Sequence, residues 1–192
     1  MKKLQSRHAL AIRCFHWINF AVLAVMIWSG LLIYWANDVY RIGIGRFTLF
    51  KFFPESFYST FNIGFRLAEG MSWHFTFMWL FAINGFLYIS YTIFSRDWRY
   101  GGIQQFAYLT IIFMGAGSLL TGLAVYKPTQ LAWLTSLLGG YQFARFEHFW
   151  LTVGYALFFC VHIVQVTRAG WNNFRSMITG YELVEVEKPS GD

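Results

Sequence analysis

Four stretches of this chain are apolar at nearly every position for long enough to cross a hydrocarbon layer, and the polar residues gather between them. The runs cover about 9–36, 73–94, 106–126 and 147–168. At ~1.5 Å of rise per residue, a helix of about 20 residues spans the roughly 30 Å of a bilayer core. The first run follows a basic head that ends in Arg7 and His8. It exceeds the apolar core of a signal peptide, and no small-residue cleavage site follows it, so it is kept as a spanning helix. Residues 37–68 are rich in Gly, Arg and Phe and include Pro54. No apolar run there is long enough to span, which predicts a connection lying over one membrane face. A short polar link joins the second and third spans, and Lys127-Pro128 ends the third. Residues 129–146 predict a short interfacial helix from Ala132, ended by Gly139-Gly140. The expected architecture is an all-α membrane protein, a four-transmembrane-helix bundle forming one domain over 1–182, with a polar tail at 183–192.

Composition agrees: 57% hydrophobic and 12% charged residues exclude an ordinary soluble globular domain. The formal charge of +6 is scattered at the ends of apolar runs and forms no stripe, which argues against a nucleic-acid partner. Its distribution reads as topology. Lys2, Lys3, Arg7, Arg13, Arg96, Arg99, Arg168, Arg175 and Lys188 share one side of a four-span protein. Arg41, Arg46, Lys51, Arg66, Lys127 and Arg145 lie on the other, spread over more sequence, so both termini are expected in the cytoplasm. Cys14 and Cys160 supply neither a disulfide framework nor a Cys-x-x-Cys pair, and without Cys-x-x-Cys-His a haem would be held non-covalently.

The candidate chemistry lies in histidines within the spans, where an ionisable side chain is costly and marks function by default. His148 and His162 stand fourteen residues apart in the last span. That is roughly 21 Å along the axis and about 40° out of register, so both rings face one side near opposite leaflets. A neutral imidazole is a common axial ligand of haem iron. By depth, His16 meets His162 near the cytoplasmic side, and His74 meets His148 near the outer side. Two bis-histidine b-type haems, one per leaflet, would leave no open coordination position on either iron, suiting electron transfer over substrate binding. His8 is expected to be solvated. Arg13 is placed for the propionates of the inner haem, and Arg66 or Arg145 for those of the outer one, although each also fits an interfacial anchor. Gly30, Gly85, Gly115, Gly117, Gly122 and Gly154 suit either a flat macrocycle pressed against a helix or close helix packing.

Arg13-Cys-Phe-His16-Trp17-Ile-Asn-Phe, with Trp28-Ser-Gly30-Leu later in the same span, resembles the first-helix pattern of the bacterial di-haem cytochrome b subunits. These include the b-type subunits of nickel-iron hydrogenase, formate dehydrogenase and thiosulfate reductase. The His148–His162 spacing and the tail Phe174-Arg-Ser-Met177-Ile-Thr-Gly180-Tyr match as well, so the resemblance covers Arg7 to Glu182. It implies a subunit of the bacterial inner membrane that carries electrons between a periplasmic oxidoreductase, molybdenum-dependent first and nickel-iron hydrogenase second, and the quinone pool. It implies haem ligation by His16, His74, His148 and His162, and a quinone site near the inner haem. Gln104 and Gln105 enter the third span there, and Asp97 is placed to deliver protons; solvated link residues are the other account of all three. Basic residues among Phe47, Phe50, Phe52, Phe53 and Phe57 suit an amphipathic cover over the outer haem, or a dock for an acidic partner. Two other classes stay open: a free-standing oxidoreductase that takes electrons from a small molecule such as superoxide, and a colourless transporter whose histidines relay protons or bind metal.

Overall fold

The computed structural model describes residues 2–36, 39–44, 47–95 and 102–185, without the side chains of 42–44 and 102–104. Among the described residues, four helices are long and apolar enough to cross a membrane. Helix α1 is Leu10–Ala36, α3 is Leu67–Ser95, α4 is Gly102–Tyr126 and α6 is Tyr141–Thr179; α2 (Glu55–Phe61) and α5 (Ala132–Leu137) are short. Four strands accompany them: β1 (Lys2–Ser6), β2 (Arg41–Ile44), β3 (Phe47–Lys51) and β4 (Tyr181–Glu185). The chain forms two compact units, Met1–His16 with Gly85–Asp192, and Trp17–Asn84.

In the first unit α4 packs against α6, and glycines set how closely they meet. A Cβ on Gly117 would lie 3.3 Å from Leu151, and one on Gly154 would lie 3.0 Å from Met114. Helix α5 caps this pair. Leu134 joins Ala124 and Ala144 in a buried cluster, and the Thr135 hydroxyl donates to the Ala124 carbonyl. Gly139 and Gly140 then turn the chain into α6 with φ of 78° and 99°, a conformation that side-chain-bearing residues rarely adopt. The short helix and its glycine stop are therefore as expected from the sequence.

The ends of this unit hold each other. Strands β1 and β4 pair antiparallel, from Lys2 opposite Glu185 to Ser6 opposite Tyr181. Arg7 forms an ion pair with Glu182, and the Asn172 amide brackets Leu183 by donating to its carbonyl and accepting from its N–H. The expected polar tail at 183–192 therefore begins inside a strand. His8 is half-buried beside this pairing, not simply solvated: burial and then the neighbouring Arg7 hold its pKa below the usual imidazole value.

In the second unit the C-terminal part of α1 meets the start of α3 at close quarters. Gly70 lets the helices touch: a Cβ there would lie 2.9 Å from Leu32 Cβ and 3.0 Å from the Ser29 carbonyl oxygen. The Asn84 amide donates to Asn19 Oδ1 at 2.7 Å, tying the same two helices at a second level. Trp35 packs against Phe53 and Phe57, and Tyr34 stacks on Tyr40 with ring centres 5.6 Å apart. The segment expected to be an amphipathic cover is a bulged β2–β3 hairpin followed by α2. Its aromatics divide, with Phe53 and Phe57 turned onto Trp35 while Phe47 and Phe50 stay exposed.

Several helix ends lie beyond the expected bounds: α4 begins at Gly102 instead of 106 and α6 at Tyr141 instead of 147, and two further differences have a local cause. Helix α3 begins at Leu67, six positions before the expected 73, because the Glu69 charge that interrupts the apolar run is paired with Arg66 and Gly70 serves packing. Helix α6 runs past 168 to Thr179, with a break at Gly170 (φ 81°) where the apolar sequence gives way to Trp171-Asn-Asn. Along the spans, Phe86, Phe94, Phe113 and Leu157 stay exposed, as suits side chains facing lipid.

Candidate functional site

In the first unit, the imidazoles of His16 on α1 and His162 on α6 face each other with ring centres 6.0 Å apart and planes tilted by 53°. The α-helical four-residue step places Phe158 beside His162, stacked nearly parallel at 6.3 Å and 5°. Helix α6 also carries His148, whose Nδ1 lies 2.8 Å from Thr121 Oγ1 on α4. The Thr121 hydroxyl donates its proton to the Gly117 carbonyl at 2.7 Å, a bond within its own helix. Its oxygen is therefore an acceptor towards His148, which places the imidazole proton on Nδ1 and the lone pair on Nε2.

The second unit repeats the arrangement. His74 on α3 has Nδ1 3.0 Å from Ser29 Oγ on α1, and Ser29, completely buried, donates to the Met26 carbonyl at 3.2 Å. Again the ring proton sits on Nδ1 and the lone pair on Nε2. In both cases the residue after the hydroxyl is a glycine against the ring. A Cβ on Gly30 would lie 3.4 Å from His74 Cε1, and one on Gly122 would lie 3.3 Å from His148 Cε1.

The cationic candidates differ in surroundings. Arg13 lies against Gly180 and donates to the Ile178 carbonyl at 2.6 Å, while its Nε is buried with no hydrogen-bond partner among the described residues. Arg66 is engaged by both oxygens of Glu69 in a forked pair. Arg145 reaches Gln142 and lies over the Tyr141 ring. Gln105 is exposed at the start of α4, and Gln104 lies in the same first turn. Asp97 and the link around it lie outside the described residues. No cluster of three or more His, Cys, Asp or Glu side chains suited to a metal ion occurs among the described residues.

Residues 7–180 match the prokaryotic cytochrome b561 family. The chain belongs to that family. It is a membrane b-type cytochrome that transfers electrons, and its four apolar helices are those of an integral membrane protein. It is also similar to the protein-methionine-sulfoxide reductase subunit YedZ1 of Azospira oryzae, with 28% identity over 86% of this chain and 92% of that one. No solved structure matches it.

Within the family frame, five of the six glycines singled out in the sequence separate by surroundings. Gly117 and Gly154 admit side chains of a packed helix, Gly30 and Gly122 admit histidine rings, and Gly85 has nothing within 4 Å of an added Cβ. Sequence reasoning passed over Ser29 and Thr121 because hydroxyls are common in apolar helices and usually bond only to their own backbone. A signal was present. Ser29-Gly-Leu-Leu-Ile-Tyr34 and Thr121-Gly-Leu-Ala-Val-Tyr126 are the same six-residue pattern, set in two different spans.

Proposed function

We propose that this cytochrome is the di-haem membrane subunit of a periplasmic reductase, passing electrons from quinol on the cytoplasmic side to a catalytic partner outside. The observation that supports it best is the His16–His162 pair. A metal atom bonded to two imidazoles at about 2 Å each holds their ring centres roughly 6 Å apart, and the two rings stand 6.0 Å apart. Arg13, whose buried Nε has no hydrogen-bond partner among the described residues, suits a propionate of that inner haem. His74 and His148, paired by their depth in the sequence, take the outer haem as bis-histidine ligands through Nε2. Arg145, on the same helix as His148, suits its propionates better than Arg66, which is already engaged by Glu69. Bound haem supplies one-electron exchange without an open coordination position. The protein's part is to hold the ligands rigid and to keep water from them with apolar walls.

The partner is proposed as a molybdenum-dependent enzyme, with a hydrogenase second. The relative's description as a reductase subunit for oxidised methionine supports an outward flow of electrons. The quinone site is proposed at the inner haem, beside Gln104, Gln105 and Asp97, in a bacterial inner membrane with both termini cytoplasmic. Expression in a haem-replete bacterial membrane followed by pyridine haemochrome quantitation is expected to give two haems per chain. His162→Ala and His148→Ala are each expected to lose one haem and keep the other. A purified chain with no haem, or with one haem that both substitutions remove, would overturn the di-haem assignment. Co-purification from the native membrane without any periplasmic subunit, together with direct quinone reduction by superoxide, would favour the free-standing oxidoreductase instead.

A further inference from the structure

The two hydroxyl–glycine pairs stand in two separately packed units, yet they meet their histidines in the same way. In each, a hydroxyl that donates to a carbonyl of its own helix stands as an acceptor beside the Nδ1 of a histidine on the neighbouring helix, at 3.0 Å for Ser29 and 2.8 Å for Thr121, and at His74 the Met26 carbonyl is a second, backbone partner. In each, the following glycine leaves the space that the ring's Cε1 edge fills. Coincidence is a poor account of this, since the surrounding six residues repeat between the two spans. The backbone bond matters as much as the contact: with the hydroxyl proton committed to Met26 or Gly117, the oxygen is held as an acceptor. Only the Nδ1-protonated imidazole can use it. A ligating histidine needs its other ring nitrogen so anchored, because the anchor fixes both the tautomer and the rotation of the ring about its bond to iron.

We infer that Ser29 and Thr121 are positioning residues for haem ligation, each fixing its histidine with Nε2 as the ligating atom, and that Gly30 and Gly122 are the clearances that let the rings take that orientation. This rests on the assignment of His74 and His148 as ligands. The anchors also tune the iron. A hydrogen bond to Nδ1–H raises the electron-donating power of the ligand and so favours the oxidised form, which lowers the reduction potential. A hydroxyl does this more weakly than a carboxylate would.

The test compares Thr121→Val with Thr121→Ser in the full-length, detergent-solubilised cytochrome. Valine keeps the branched shape and removes the acceptor; serine keeps the acceptor and removes a methyl group. Haem content is read by pyridine haemochrome, and potentials by titration of the reduced visible bands. Thr121→Val is expected to weaken one haem site about 10- to 100-fold, so that one of two haems is lost on dilution or its potential rises, while the other component is unchanged. Thr121→Ser is expected to match the unsubstituted protein, and Ser29→Ala to act in the same direction as Thr121→Val but more weakly, because the Met26 carbonyl also bonds His74. The inference is overturned if Thr121→Val matches the unsubstituted protein in both content and potentials, if valine and serine lose haem equally, or if valine loses both haems together. His148→Ala separates the two levels. Should it retain both haems, the ligand assignment fails; should it lose one while Thr121→Val is silent, the ligand stands and the positioning role fails.

Discussion

Substituting Gly70 by alanine tests whether close contact between α1 and α3 is what sets the His74 anchor. The added Cβ would lie 2.9 Å from Leu32 Cβ, 3.0 Å from the Ser29 carbonyl oxygen and 3.1 Å from the Ile33 nitrogen. Ordinary van der Waals contact begins at 3.4 Å, so the shortest of these is about 0.5 Å too close. None of the three atoms is the far end of a flexible side chain, so a rotamer change relieves nothing and the helices themselves must part. Overpacking of this kind costs about 1–3 kcal/mol. Moving α3 out by ~0.5 Å also takes the Ser29–His74 contact from 3.0 Å to about 3.5 Å, the limit at which it ceases to be a hydrogen bond. Gly70→Ala is therefore expected to lower the thermal midpoint of the detergent-solubilised protein by several degrees, at ~2–4 °C per kcal/mol for a chain of this size. It is also expected to loosen one haem. The control is Gly85→Ala on the same helix, where an added Cβ meets nothing within 4 Å. There alanine improves helix propensity by up to about 1 kcal/mol, and no loss is expected. Melting followed at the haem band and in the far ultraviolet reads both. Equal behaviour of the two variants, or a stabilised Gly70→Ala, would refute the packing account.

Further outcomes follow from the same contacts. Asn84→Leu leaves the Asn19 amide without its partner inside an apolar environment and is expected to destabilise by about 1 kcal/mol. Asn19→Leu combined with Asn84→Leu is expected to recover most of that in thermal melts, and a strictly additive double variant would rule out the pairing. His8 is depressed by burial and by Arg7, so the folded chain binds its proton less readily than the unfolded one. Stability contributed near the β1–β4 pairing therefore rises with pH through the window just below the ordinary value of 6.5 and is lost as pH falls through it. The protection factors of the Leu4 and Leu183 amides, that is their exchange rates relative to the intrinsic rate at each pH, are expected to fall on acidification in the unsubstituted chain and to stay level in His8→Gln.

Hydrophobic run length by itself determined the four spanning helices, the short helix before Gly139-Gly140 and the membrane class, because a bilayer demands about 20 apolar residues and satisfied backbone hydrogen bonds wherever it is crossed. The meeting of His16 with His162 was also legible, since depth in a helix of known rise is fixed by counting. Contacts across helices were not legible in that way. Which face of a helix meets which neighbour depends on packing, so the pairing of Ser29 with His74, of Thr121 with His148 and of Asn84 with Asn19 was decided only in three dimensions. The same holds for the start of α3. A charge and a glycine read locally as an interruption, but Arg66 neutralises Glu69 and Gly70 receives α1, so the helix continues through both. The β1–β4 pairing lay beyond local patterning for a related reason: its partners stand roughly 180 positions apart in the chain, so no local window of sequence contains both.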